Sequence, residues 1–169
     1  MFIEAKKIIG LPVASVEEES KVGEILQLVI DPQNGTLLGF LVKTNGFFDT
    51  VKALSVIDVR DWDPQGLVIT SVDNIVALDE IIRIKEIFDQ KIIILGFKAQ
   101  TESGKSLGSI DNLLIDTENL VVAKYYVKNI LTGDERVFLA NSVVKIENKT
   151  VIFQDDEKSL PVGAQSAVV

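Results

Sequence analysis

The sequence predicts a mainly β protein, made of two small repeats that a short amphipathic helix joins. Apolar runs rich in Val and Ile are bounded by turn residues about every 8–14 positions, which is typical of strands. The second half repeats the first at an offset near 85 residues. The segment between the halves has apolar residues at helical spacing. We therefore predict domains at residues 1–72 and 92–156, a helical linker at 73–91 and a flexible tail at 157–169.

Identical residue types recur in the same order in both halves. The matching pairs are Gly23 and Gly108, Ile25 and Ile110, Leu28 and Leu113, Ile30 and Ile115, Asp31 and Asp116, and Val42 and Val127. Matches in one order with small insertions indicate a tandem duplication.

Turn residues divide the first repeat into predicted strands at 7–13, 22–31, 36–44, 50–59 and 67–71. The turn at 31–35 is a strong hairpin signal, because Pro32 presets its φ and Gly35 accepts a left-handed backbone. The second repeat has Asn119 near the end of the corresponding turn and no glycine there. We therefore expect Asn119 to adopt a positive φ.

The predicted linker helix carries five apolar side chains on one side. They are Ile81, Ile82, Ile84, Ile87 and Phe88. Asp73 or Asp79 would serve as its N-cap. Its apolar face must be buried against one or both repeats.

The composition excludes several classes of function. The chain has 169 residues, 47% of them apolar, and contains neither cysteine nor histidine. It therefore has no thiolate nucleophile, no imidazole base and no cysteine or histidine metal ligand. We expect a folded protein that is not an enzyme and has no catalytic residue, cofactor or metal.

The charge pattern argues against direct contact with nucleic acid. The formal net charge is −8, and no segment of the chain is basic. The N-terminus does not resemble a secretory signal, and the apolar runs are too short to cross a bilayer. We expect a cytoplasmic protein without membrane insertion.

Two weaker motifs have ordinary structural explanations. Residues 99–106 approach the phosphate-loop pattern, but Ala99 replaces its first glycine and a strand is expected to follow. We interpret the segment as a turn. Asp58, Asp61 and Asp63 lack the spacing of a calcium loop. We interpret residues 63–66 as a polar turn and Trp62 as covering one end of the fold.

Two loops carry the candidate protein-contact residues. Phe47 and Phe48 lie between two predicted strands, and Ile130 and Leu131 lie in the corresponding loop of the second repeat. Paired apolar residues in surface loops are candidates for contact with another protein. The alternative is that both pairs pack into their own repeat or on the linker helix.

Four segments of the first repeat, with their counterparts in the second, resemble the PRC-barrel family. These are residues 9–13, 21–25, 29–32 and 39–42, and the likeness continues through 53–59 and recurs at 95–97, 107–108, 114–116 and 140–144. The family takes its name from the cytoplasmic domain of the H subunit of purple bacterial photosynthetic reaction centres. Another member is the C-terminal domain of a ribosome-maturation factor that binds a protein of the small ribosomal subunit.

The resemblance implies two small β-barrels in tandem that serve as an adaptor. The expected function is non-catalytic protein–protein interaction within a bacterial assembly, such as a ribosomal or photosynthetic complex. The partner would be a protein, and a homodimer is possible because a duplicated domain can mimic a two-fold dimer. The alternative is a barrel that binds a small molecule or lipid, although barrels this small are normally filled by their own side chains.

Overall fold

The computed structural model describes residues 1–44, 46, 50–155 and 159–161, and most of its regular elements are strands. The chain begins with β1 (Phe2–Glu4) and α1 (Ala5–Ile8). The first half continues with β2 (Pro12–Ser15), β3 (Ser20–Ile30), β4 (Leu37–Thr44), β5 (Val51–Ser55), β6 (Val59–Asp63), β7 (Gly66–Ile69), β8 (Ile75–Val76) and α2 (Ile82–Asp89). The second half contains β9 (Lys98–Thr101), β10 (Ser106–Asp116), β11 (Val121–Lys128), β12 (Glu135–Leu139), β13 (Val143–Glu147), β14 (Thr150–Phe153) and β15 (Leu160–Pro161).

The strands form two sheets with the same strand order. The first sheet runs β6-β7-β2-β3-β4-β5-β8 and the second runs β13-β14-β9-β10-β11-β12-β15, with β1 added beside β10. In each sheet one pair is parallel, β2 with β7 and β9 with β14, and the other pairs are antiparallel. The prediction of a mainly β protein is confirmed. Among the described residues, hydrogen bonding in each sheet follows an open path from one edge strand to the other.

Two of the predicted strand boundaries are wrong. Residues 7–13 do not form one strand, because α1 turns Ala5 and Ile8 into the core and Gly10, at φ 87°, redirects the chain into β2. Residues 50–59 are divided between β5 and β6 by a 3₁₀ turn at Val56–Asp58.

The prediction for the second hairpin turn is also wrong. Leu120, not Asn119, takes the positive φ of 55°. The Asn119 side chain is engaged instead, since its Nδ2 donates to Asp116 Oδ2 at 2.6 Å. In the first hairpin Gly35 has a φ of 74°, as predicted.

The linker helix is shorter than predicted, and neither aspartate caps it. Residues before α2 form 3₁₀ turns at Val72–Asn74 and Leu78–Glu80, and the residue at the α2 N-cap position is Ile81, which makes no side-chain cap. Asp73 lies inside the first of these turns, which Ser71 caps by accepting from the Asp73 amide.

The buried face of α2 packs on the outer side of the first sheet. Ile84 and Ile87 are buried there against Val29, Leu41 and Ala53. The remaining apolar side chains of the helix do not all share this face, since Ile82 is 74% exposed. The helix therefore belongs structurally to the first sheet.

The two halves share one hydrophobic core. A single cluster of buried side chains contains Phe40 and Leu54 from the first sheet together with Tyr125 and Phe153 from the second. The β3–β4 and β10–β11 hairpins also meet at their turns, where the Leu37 amide donates to the Leu120 carbonyl at 2.8 Å. None of the helices in the described part of the chain is long and apolar enough to span a bilayer.

Candidate protein-contact site

The loop between β11 and β12 is held by hydrogen bonds from its own residues. Asn129 Oδ1 accepts from the amides of Leu131 at 2.9 Å and Thr132 at 3.3 Å. Gly133, at φ 75°, donates its amide to the Asn129 carbonyl at 2.8 Å. Thr132 Oγ1 also donates to Asp134 Oδ2 at 2.8 Å. The polar side chains of the loop therefore bond to other atoms of the same loop, and the two apolar residues lie at its tip.

Ile130 and Leu131 are among the most exposed apolar side chains of the protein. Their exposed fractions are 80% and 96%. Neither side chain packs into its own half or on α2, so the structure does not support the alternative of a core role for this pair. Burying two such side chains against a partner would remove a large apolar area from water, at about 25 cal/mol per Å².

The base of this loop is charged. Lys128 Nζ lies 3.6 Å from Glu135 Oε1 across the β11–β12 pair. Next to it is a small polar cleft of about 110 Å³, which Lys105, Asp134 and Arg136 help to line. An apolar tip surrounded by charged side chains has the layout of a small protein contact, in which a polar rim borders the apolar centre.

Phe47 and Phe48 lie outside the described residues. The strands that flank their loop, β4 and β5, occupy the same place in the first sheet as β11 and β12 in the second. Because the hairpins meet at their turns in an antiparallel arrangement, β4 and β11 lead away from that junction in opposite directions. Thr44 and Lys128 therefore end their strands on opposite sides of the molecule.

A model of the PRC-barrel domain matches residues 1–91, which is more than half of the chain. The chain belongs to the PRC-barrel family. A comparison with curated proteins gave no significant match. The likeness seen in the sequence is thus confirmed for the family.

The aspartates near Trp62 do not converge in this PRC-barrel protein. Asp61 and Asp63 lie in β6, where the Oδ1 atom of each accepts a nearby backbone amide. The polar turn expected at 63–66 is confirmed, since Asp63 ends β6, Gly66 begins β7 opposite it, and residues 64–65 form the turn between them. Trp62 packs edge-on against Phe40 with ring centroids 5.8 Å apart. Across the described residues, no three carboxylates are grouped in a way that could hold a metal ion.

Residues 99–101 belong to β9, and residues 102–105 form the turn between β9 and β10. The Thr101 amide donates to the Lys105 carbonyl at 2.9 Å, and Ser106 begins β10. No helix starts at this segment, so its amides do not form the phosphate cradle of a nucleotide-binding loop.

One ion pair of the PRC-barrel fold was not predicted from the sequence. Arg83 on α2 donates to both carboxylate oxygens of Asp31, at 2.8 and 3.1 Å. These bonds from Arg83 hold the pKa of Asp31 below its ordinary value and raise the pKa of Arg83. Since the two residues are far apart in sequence, the pattern of charges along the helix gave no signal for this pairing.

Proposed function

We propose that this PRC-barrel protein is a non-catalytic adaptor that binds other proteins within a bacterial assembly, such as a ribosomal or photosynthetic complex. The observation that carries the proposal is the exposed apolar pair Ile130 and Leu131, at 80% and 96%, on a loop whose polar groups bond to one another. Soluble proteins seldom place two adjacent aliphatic side chains so far from their core without a contact for them. In this proposal the partner is a protein, and the complex forms in the cytoplasm.

We infer that each sheet curls into a small barrel and that α2 joins the two. The parallel pairs bring β7 back beside β2 and β14 back beside β9, so a late strand of each half lies beside an early one. Irregularities in β3 and β10 bend these long strands, as bulges do in barrels. A tandem duplication of one PRC-barrel domain accounts for the shared strand order.

An adaptor agrees with the chemistry of the chain better than an enzyme does. Without histidine and cysteine, the sequence lacks the groups that most often serve as bases and nucleophiles near neutral pH. The net charge of −8 disfavours direct binding to nucleic acid and favours a partner with a basic rim.

The space inside the fold does not favour a carrier of lipids or of other apolar molecules. The apolar cavity between the halves, lined by Ala5, Ile9, Leu28, Ile94 and Leu113 among others, measures about 120 Å³. Pockets that bind small organic ligands usually measure about 300–1,000 Å³.

The test is recovery of the full chain with its partners from its own cells. The Ile130→Ser/Leu131→Ser variant should lose a stoichiometric protein partner and keep its melting temperature, because neither side chain is buried. Ile57→Ser is the matched control, since Ile57 is 81% exposed on the 3₁₀ turn before β6, far from the loop in sequence.

The companion variant Phe47→Ser/Phe48→Ser tests the other predicted pair. A partner that both double variants retain would contradict the loop assignment. A second copy of this chain as the only stoichiometric partner would show that the contact serves a homodimer.

A further inference from the structure

The structure has two equivalent grooves between its halves, and their linings differ. A hairpin turn from one half faces the other half in each groove. It is the turn between β6 and β7 in the first groove and the turn between β13 and β14 in the second. The first has a volume of about 250 Å³ and an apolar lining that includes Phe2, Leu11, Pro64 and Leu114. The second has a volume of about 530 Å³. Its Phe97 and Asn148 occupy the places that Leu11 and Pro64 have in the first.

Cationic side chains line the larger groove, which we call the cationic groove. Arg83, Lys91 and Lys149 lie on its walls, and Phe97 and Ile146 contribute apolar surface. In a chain with a net charge of −8, this is a local concentration of positive charge beside two apolar side chains, Phe97 and Ile146, which we call the apolar floor.

The two lysines of the groove have no carboxylate partner in the described part of the chain. Arg83 is already paired with Asp31 and Glu86. The groove's Glu147 is paired as well, since its Oε1 lies 2.7 Å from the Nζ of Lys145. Lys91 and Lys149 form no such ion pair with the described residues, so their charges remain available to an anion.

Lys91 stands at a position where glycine is the preferred residue. It follows α2 with a φ of 55°, its amide donates to the Phe88 carbonyl, and the Ile92 amide donates to the Ile87 carbonyl. This is the helix-ending motif in which the left-handed residue is usually glycine. The negative end of the helix also attracts the Lys91 ammonium.

Lys149 is also a lysine at a left-handed position where glycine is preferred, although no helix ends there. Asn148 and Lys149 form the two-residue turn between β13 and β14, with φ values of 49° and 57°. Asn-Gly is the favoured pair for a turn with two positive φ angles. Two lysines therefore replace the preferred glycine at separate left-handed positions, and both line one groove. Non-glycine residues held in left-handed backbone often occur at functional sites.

We propose that the cationic groove binds a phosphorylated small molecule, with its phosphate between Lys91 and Lys149 and its apolar or aromatic part on Phe97 and Ile146. Ammonium groups bind phosphate oxygens through charge-assisted hydrogen bonds. The volume of the groove is within the range of sites for organic ligands. This site is separate from the loop of the proposed adaptor function and does not depend on it.

The test is titration of the full chain with ADP and with pyrophosphate, followed by calorimetry and by amide chemical shifts. We expect saturable binding that shifts the amides of Lys91, Asn148 and Lys149, and tighter binding of ADP than of pyrophosphate because only ADP has a base to place on the apolar floor. The Lys91→Gly/Lys149→Gly variant should bind about tenfold more weakly. It should fold at least as well as the parent, because glycine is favoured at both φ values.

Lys7→Gln is the matched control, since it removes one lysine charge that is 72% exposed on α1, outside the cationic groove, and should leave binding unchanged. Absence of saturable binding of either probe at about millimolar concentration would overturn the proposal. Equal binding by the double-glycine variant would place any anion site elsewhere and would also overturn it. Equal affinity for ADP and pyrophosphate would contradict the role of the apolar floor.

Discussion

Thr36 and Val121 form an antiparallel bridge with each other, and each is the residue that follows the hairpin turn of its own sheet. The flanking hydrogen bonds are reciprocal. The Leu37 amide donates to the Leu120 carbonyl at 2.8 Å, and the Val122 amide donates to the Gly35 carbonyl at 2.9 Å. Exchanging the two hairpins converts one bond into the other, so an approximate two-fold axis passes between them. The halves of this single chain meet as two subunits of a symmetric dimer would.

The first prediction is that the two halves unfold together. Phe153 in β14 is fully buried in the core that both sheets share. Phe153→Ala should lower the free energy of unfolding by about 3–5 kcal/mol. Because Trp62 is the only tryptophan and packs on Phe40 in the first sheet, its fluorescence reports on the other half.

The measurement is denaturant unfolding followed by Trp62 fluorescence and by far-ultraviolet circular dichroism. Both midpoints should shift equally in Phe153→Ala. Leu131→Ser is the control and should leave them in place, since Leu131 is 96% exposed. A Trp62 midpoint that did not move would mean that the first half folds independently.

The second prediction concerns Gly39 in β4, which lies under α2. A Cβ atom at this position would collide with the Leu54 carbonyl and lie 3.0 Å from Ile84 Cδ1. Gly39→Ala should therefore force β4, β5 and the helix apart, at a cost of about 3 kcal/mol. Gly46→Ala is the matched control, because no described atom apart from its chain neighbours lies within 4 Å of its Cβ position. Thermal unfolding of both variants is the measurement, and equal stabilities would show that the helix is not closely packed there.

The strand content was predictable because it depends on local patterns. Alternating Val and Ile between turn residues reports the burial of each strand, and this placed β3, β4 and β7 to within a few residues. The two sheets have the same strand order, and their strands and turns follow the same spacing in the sequence. Gly35 was predictable for a similar reason, since a left-handed position selects for glycine.

What could not be predicted depends on contacts between distant residues. β1 leaves its own half and pairs with β10, with Ile3 opposite Ile115, and no local pattern specifies that partner. The positive φ of Leu120 follows from the meeting of the two hairpins, because its carbonyl accepts the Leu37 amide. In the candidate site, the loop and its apolar pair could be read from the sequence, whereas the exposure of Ile130 and Leu131 needed the structure.

The third prediction is that Arg83 and Asp31 anchor α2 to the first sheet. The Asp31 side chain is 12% exposed and that of Arg83 is 36% exposed, so solvent screens the pair only in part. A double-mutant cycle with Asp31→Asn and Arg83→Gln should give a coupling energy of about 1 kcal/mol. The Lys85–Asp89 pair on the exposed side of the same helix, at 2.6 Å, is the control and should give less than about 0.5 kcal/mol.

The pH dependence of the Asp31 pair has a definite sign. The Arg83 side chain lowers the pKa of Asp31 in the folded protein, whereas the unfolded carboxyl titrates near its ordinary value of about 3.9. The stabilisation is therefore present above about pH 4 and is lost as the pH falls through the lowered pKa. The stability difference between the parent and Asp31→Asn should shrink in this acid range. A difference that stayed constant down to about pH 2 would mean that Asp31 acts through packing, not charge.

The fourth prediction concerns Tyr125, which lies in the shared core with its ring edge-on to Phe153. Burial raises the pKa of Tyr125 to about 12, whereas an unfolded tyrosine titrates near 10. Between these values the unfolded chain loses a proton that the folded chain keeps. The free energy of unfolding should therefore fall as the pH rises from about 10 to about 12.

The chain contains two tyrosines, so Tyr126→Phe leaves Tyr125 as the only phenol. Its phenolate absorbance should appear only near pH 12, or together with loss of the far-ultraviolet signal if the protein unfolds first. The Tyr125→Phe/Tyr126→Phe variant supplies the baseline and should lose less stability above about pH 10 than the single variant. Phenolate formation near pH 10 in a folded protein would show that water reaches both Tyr125 and the space between the two sheets.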